Sequence, residues 1–404
     1  MNKIYKVVFN KSTGRFVVAS ENAKAAIKST NCGNEPTITK SNQIETTAKK
    51  AASFKLGMLV SSILFASSSV FADLVIDGSP AYPNTTTNSS DFIVVGEANH
   101  VTSSKTVSIF GINNNAQNAQ NVLLSGNRNY VISSDSANPS VNMTMVGNEQ
   151  TATNSSHVSS LGSNNSFYGD YIGIVGEVNK VGGTPGGTTK ASNVYGLGFN
   201  NKIGTLTKSS NIQFIGSNSN LDGNNIYGIG DNLTSQGNNN VLIGGQVKTI
   251  GSSNTAVGNS ASVEGRSSTA IGANSAALSN QSTAVGYIAR ANADSSVAVG
   301  NQATVAAGNT GSVALGSNSN ASGTSLKQDA YLTNSKATAE MNIANGTSQR
   351  RITGVADGAL DTDAVTVRQL KAAESLSVKY DDLEKGKITL GGAEGTVLGN
   401  VKAG

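Results

Sequence analysis

The stretch Asn254-Thr-Ala-Val-Gly-Asn-Ser-Ala261 is answered 14 residues later by Ser268-Thr-Ala-Ile-Gly-Ala-Asn-Ser-Ala276, and again by Ser296-Val-Ala-Val-Gly-Asn-Gln-Ala303. In each, a small or aliphatic residue precedes a glycine. That glycine recurs at Gly216, Gly230, Gly244, Gly258, Gly272, Gly286 and Gly300, a constant step of 14 residues. Upstream the landmark is legible at Gly96, Gly111, Gly126, Gly147, Gly162, Gly176 and Gly198, with some longer steps, and it ends at Gly316. A fixed-period repeat over more than half of a chain predicts a solenoid.

Fourteen residues are too few for a helix pair but suit two strands of about five residues and two tight turns. Within Ser268-Thr-Ala-Ile-Gly272, Ala270 points inward while Thr269 and Ile271 face the other way, a period of two. Gly and Asn at the corners supply the positive φ of tight turns. The longest insertion contains Lys180-Val-Gly-Gly-Thr-Pro-Gly-Gly-Thr-Thr-Lys190, which lacks the G-x-x-x-x-G-K-[ST] pattern of a phosphate loop and reads as a projecting loop. A coil lined by Ala, Val and Ile buries little apolar area, roughly 25 cal/mol per Å². Because both strand faces carry aliphatics, one face fills the coil and the other is expected to meet a partner. A threefold bundle is one closed solution, though residue chemistry alone does not fix the number.

The units at 254–316 resemble the head repeats of YadA-like trimeric autotransporter adhesins; residues 92–253 are richer in Asn and less regular. The resemblance implies a mainly β fold, a left-handed parallel β-roll solenoid assembled as a homotrimer. Arg350-Arg-Ile-Thr-Gly-Val-Ala-Asp-Gly-Ala-Leu-Asp-Thr-Asp-Ala-Val-Thr-Val-Arg-Gln-Leu-Lys371 is similar to the neck of that family, which joins a wide head to a coiled-coil stalk. Arg351, Ile352, Val355, Asp361, Asp363, Val365, Val367 and Leu370 are the expected neck and trimerisation residues. Asp361-Thr362-Asp363 is expected to cap a helix entering near Ala364. Asp357, Asp361 and Asp363 lack the spacing of a full calcium loop. Val367 and Leu370 form one a/d pair, but Glu374 and Ser377 follow, so a coiled coil here is short or interrupted.

The N-terminus reads as an export signal. Lys49, Lys50 and Lys55 precede the apolar run Leu56–Ala66, and small residues lead to Val70-Phe71-Ala72, so cleavage is expected between Ala72 and Asp73. The run is shorter than the roughly 20 residues of a membrane span. Met1–Ala25 resembles the extended signal peptide region of large autotransporters of Gram-negative bacteria, and this whole first stretch is not expected to be folded. The segment 1–72 holds ten Lys/Arg and three Asp/Glu; since the whole chain has 29 and 25, the remainder carries a net charge of −3. The basic balance therefore belongs to the signal and gives no reason to expect a nucleic-acid partner. Cys32, the single cysteine, also lies in the signal, so the exported part has no disulfide.

No nucleophile elbow, H-E-x-x-H motif or Cys–His arrangement is present, and His100 and His157 stand isolated, as surface residues of the roll. No enzyme activity, catalytic residue, metal or cofactor is expected. The left-handed helices of hexapeptide acyltransferases repeat every six residues, and calcium-binding rolls carry G-G-x-G-x-D; neither pattern occurs.

The expected organisation is a signal over 1–72, a lead-in over 73–91, a head over 92–316, a connector over 317–349, a neck over 350–371 and the start of a stalk module over 372–404. No alternating-strand anchor pattern follows Leu370, so a truncated sequence or a shortened gene is expected. The resemblance implies export by the inner- and outer-membrane machinery to the cell surface. The expected function is multivalent attachment to extracellular matrix, host cells or other surfaces. Autoaggregation and biofilm cohesion are the alternative, and no ligand-binding residue is assigned.

Overall fold

The computed structural model describes residues 5–10, 15–20, 73–391, 393–400 and 402. Residues up to 69 and from 70 onward form two separate units. Ala72, Cys32 and the apolar run of the signal lie outside the described residues. In the first unit, Tyr5–Asn10 pairs antiparallel with Arg15–Ser20, from Tyr5 opposite Ser20 to Asn10 opposite Arg15. This corrects the expectation of an unstructured leader. Six-residue segments with apolar centres, YKVVFN and RFVVAS, pair as a ribbon.

The second unit is a parallel β-solenoid. A sheet of 17 long strands begins at Leu74–Asp77 and ends at Met341–Asn342, and a sheet of 16 short strands runs from Thr85–Thr87 to Asn320–Ala321. The ladder of long strands is open: its first strand pairs with Ser90–Glu97 and its last with Val313–Leu315. Register follows the repeat, with Thr255 beside Thr269, Ala256 beside Ala270 and Val257 beside Ile271. Residues 73–91, expected as a lead-in, already build the first coil, since Leu74 pairs with Ile93 and Thr85 with His100. The connector likewise contributes the last strands of both sheets. Both ends escaped the repeat reading because they pair without a landmark glycine.

The inward positions carry the core. Val94, Ile109, Leu124, Met145 and Ile174 are buried along the early coils, and Ala256, Ala270, Ala284, Ala298 and Ala314 continue the interior through the late ones. Where the side chain shrinks, a neighbour fills in: a Cβ on Gly196 would lie 2.1 Å from the ring of Phe214 in the next coil.

The landmark glycine has the positive φ expected of it and does a further job as well. Gly230 has φ +135°, and a Cβ there would sit 1.8 Å from the carbonyl oxygen of Gly244 in the next coil. Close backbone approach between coils, rather than a turn, demands glycine. The left-handed corner lies two residues on, at Asn218 after Gly216 and Asn232 after Gly230. From Asn211 to Gln302 such residues recur every seven positions, so each coil has two left-handed corners. Asn fills most of them upstream because its short amide tolerates this conformation.

The Asn-rich half also uses Asn inside. Asn114 Nδ2 donates to Asn99 Oδ1 at 2.9 Å and to the Gly126 carbonyl at 2.7 Å. Asn129 repeats this toward Asn114 and Gly147, and Asn201 toward Asn179 and Gly216. A buried amide column thus satisfies the carbonyls of Gly111, Gly126, Gly147, Gly176, Gly198 and Gly216.

Candidate functional site

Three surfaces can meet partners: the outer face of the long-strand sheet, the neck, and one corner of the solenoid. The residue before each landmark glycine points away from the core, as alternation requires. Leu161, Val175, Leu197, Ile215, Ile229, Ile243 and Ile271 are 40–53% exposed and stack coil on coil into one apolar ridge. Tyr195 and Tyr227 flank it. A hollow of about 420 Å³ lies between these side chains, beside Gly173. A continuous apolar stripe of this kind marks an interaction surface rather than a solvated face.

Of the expected neck residues, Arg351, Ile352, Val355, Asp361, Val365, Val367 and Leu370 are not buried, and Ile352, Val365 and Val367 are among the more exposed apolar residues. The helix runs Val367–Ser375 and is capped by Thr366 in a capping box with Gln369. It therefore starts three residues later than expected and is not capped by Asp361 or Asp363. Asp363 Oδ2 instead accepts from the backbone of Ala359 and Leu360 at 2.9 and 3.0 Å, which holds its carboxyl below the usual range. The T-x-x-Q signal of Thr366-Val-Arg-Gln369 was in the sequence and outranks the acidic residues before it. Asp357 accepts from Thr366 Oγ1 at 2.6 Å and pairs with Arg368 at 2.8 Å. The Thr366 hydrogen bond, then Arg368, lowers its pKa. Sequence reasoning also missed Arg350, whose guanidinium donates to the carbonyls of Ile343 and Ser317 and lies against Gly316, tying the neck to the last coil.

The two corners of each coil behave differently. After the long strand the corner has fixed length, with a left-handed residue two positions past every landmark from Gly96 to Gly300. The first coil carries an insertion after its long strand, at 78–84, since Asp77 stacks on Gly96 and Thr85 on His100. From Gly96 onward insertions enter after the short strand, at residues 133–139, 182–190, 204–209, 306–312 and 322–340. At this variable corner the first two insertions flank a cleft of about 690 Å³. His157, expected to be isolated, lies there with its ring stacked on Tyr171, centroids 4.4 Å apart. His100 is exposed, with Nδ1 2.5 Å from Thr85 Oγ1. Asp73, at the expected cleavage site, immediately precedes the first strand, and its Oδ1 accepts from the Phe92 backbone at 3.3 Å. Among the described residues, no group of three His, Cys, Asp or Glu is placed to hold a metal ion.

Comparisons with known proteins assign modules in order along the chain. Residues 1–43 match the extended signal peptide of the type V secretion system. Residues 255–275, 277–303 and 307–325 match the YadA head domain repeat, and residues 351–382 match the coiled stalk of trimeric autotransporter adhesins. The chain is 49% identical over 65 residues to the autotransporter adhesin EhaG of Escherichia coli O157:H7, covering 14% of this chain and 4% of that protein. The crystal structure of the collagen-binding domain of the Yersinia adhesin YadA aligns at 26% identity with a TM-score of 0.30, over 38% of this chain and 84% of that one. The matched families and the solenoid point to a non-enzymatic role.

Proposed function

We propose that this chain, built from the modules of a YadA-like trimeric autotransporter adhesin, is exported to the surface of a Gram-negative cell and attaches that cell to other surfaces. The observation that carries this reading is the order of modules on one chain: extended signal, head repeat and stalk, with the head repeat falling on the solenoid. The apolar ridge supports assembly. Three copies that turn Ile215, Ile229 and Ile243 toward a common axis would cover side chains now about half exposed. At about 25 cal/mol per Å², a ridge of this length contributes on the order of 10 kcal/mol per protomer. The exposed neck residues Ile352, Val365, Val367 and Leu370 would continue that seam into the stalk. Trimerisation then gives three copies of every weak site at high effective concentration.

Adhesion of the purified chain to immobilised collagen, fibronectin and cultured cells tests the reading. Saturable binding that falls when the trimer is dissociated supports it. Clumping of chain-coated beads with no binding to any of these surfaces would replace it with self-aggregation.

A further inference from the structure

Along the variable corner, successive coils place one residue each in the left-handed conformation: Asn121, Asn142, His157, Tyr171, Asn193 and Asn211. Asn, Asp and His are the side chains that this backbone accepts most readily, and a bulky ring such as that of Tyr171 is an outlier there. The Asn side chains also bond to one another, Asn121 Nδ2 to Asn142 Oδ1 at 3.0 Å and Asn211 Nδ2 to Asn225 Oδ1 at 2.9 Å. His157 (φ 57°) continues that run, its Nε2 lying 3.0 Å from Asn142 Nδ2, and Tyr171 (φ 58°) on the next coil stacks on the His157 ring. Strain tolerated at Tyr171, beside a stacked imidazole, calls for a functional account.

The surroundings supply one. The two rings lie in the 690 Å³ cleft between the 133–139 and 182–190 insertions, and both insertions are tied down. In the first, Asp135 accepts from the Ala137 backbone at 2.8 Å and from Asn138 Nδ2 at 2.7 Å, while Ser134 N donates to Asn154 Oδ1 at 2.8 Å. In the second, the Tyr168 hydroxyl donates to the Gly187 carbonyl at 2.9 Å, and Lys190 pairs with Asp170 at 2.9 Å. The cleft is therefore preformed, with an aromatic floor and hydroxyl, amide and carboxylate groups along its walls.

We infer that the cleft between the 133–139 and 182–190 insertions binds an uncharged saccharide, with a pyranose ring laid against the Tyr171–His157 stack. This deepens the adhesive reading and rests on it. A pyranose offers an apolar C–H face, which suits the negative face of an aromatic ring, and a rim of hydroxyls that both donate and accept. Ser134 and Asn154 offer such partners, as do Asp170 and Lys190. Charge selects against sulfated and sialylated sugars: Asp170 and Lys190 neutralise each other, and Asp135 leaves one net negative charge in the cleft.

The test compares the full chain with a His157→Asn, Tyr171→Asn double variant on an array of neutral, sialylated and sulfated oligosaccharides. The variant restores the residue that adjoining coils carry, so its thermal midpoint should equal or exceed that of the parent. Binding of neutral glycans by the parent, reduced at least tenfold in the variant, supports the inference. Equal binding by the two proteins overturns it, as does a preference for sulfated or sialylated glycans. If the parent adheres to collagen, fibronectin or cells but to no glycan, the cleft assignment fails and adhesion stands. If it adheres to none of them, both fail.

Discussion

Replacing Gly230 by Ala probes what holds one coil on the next. The new Cβ would lie 1.8 Å from the Gly244 carbonyl oxygen and 2.7 Å from its carbon, in a backbone with φ +135°. A carbon–oxygen contact needs about 3.2 Å, so the coils must part locally by more than an ångström, far beyond what packed interiors tolerate. Two ladder hydrogen bonds bracket the site, Gly244 N to the Ile229 carbonyl at 2.9 Å and Gly230 N to the Ile215 carbonyl at 2.8 Å. Losing both costs about 2 kcal/mol, and a side chain in a conformation reserved for glycine costs about 1–3 kcal/mol. The expected loss is about 3–5 kcal/mol, read as a lower urea midpoint in circular dichroism of the purified chain. Asn232→Ala, at the left-handed corner with φ 56°, should cost only about 1–2 kcal/mol. Gly346→Ala, where a Cβ meets no atom within 4 Å, should stay within about 0.5 kcal/mol of the parent. A Gly230→Ala chain that unfolds with the parent, or an Asn232→Ala chain that is the weaker of the two, refutes close approach as the reason for the landmark.

Other expectations follow from the same coordinates. Ile229→Asp puts a carboxylate on the outward ridge, where the chain's own core is untouched; light scattering should show the trimer lost or weakened at least tenfold while the β signal persists. Asn114→Ala removes a buried amide that donates to Asn99 and Gly126 and accepts from the backbone and side chain of Asn129, and should destabilise the chain by about 2–4 kcal/mol in urea titration. The Asp357 carboxyl is held below its ordinary value of 3.8, so its contribution to the helix start is present above that pH. It fades as pH falls through the lowered value. Amide exchange near Thr366 and Gln369 should therefore quicken in acid, and Asp357→Asn should flatten that dependence.

The repeat was legible because one constraint acts identically in every coil. Two backbones approach too closely for a Cβ at Gly230, Gly244 and Gly258, so the sequence keeps glycine there whatever else changes. The inward Ala270 and outward Ile271 were readable for a similar reason, since strand alternation leaves no other arrangement once the register is set. The ends were harder. Met341–Asn342 pairs among the described residues only with the preceding coil, so a landmark there has nothing to stack against. Leu74–Asp77 stacks on Ser90–Glu97 with Asp77, not glycine, beside Gly96. The half-period also went unnoticed, although glycines stand every seven residues from Gly216 to Gly272. Those at Gly223, Gly237 and Gly251 meet the same kind of carbonyl at the second corner. The helix start was misplaced because acidic residues before a helix are a weaker cue than a reciprocal Thr–Gln cap.

The cleft was the least legible feature, and the cause is geometric. His157 and Tyr171 are 14 residues apart, one coil, and neither belongs to a motif. Only the stack makes them neighbours, and only the insertions on either side turn an exposed corner into a cleft. A solenoid therefore separates its tasks by position within the coil. The constant corner and its glycines fix the spacing, so they cannot vary without cost to the stack. The outward column must remain aliphatic as long as copies share it. The variable corner is bound by neither demand, and it is there that most loops lengthen. Specific recognition should accordingly map to residues 133–139, 157, 171 and 182–190. Deleting the 182–190 insertion down to the length of an adjoining coil should change what the chain binds while leaving its assembly intact.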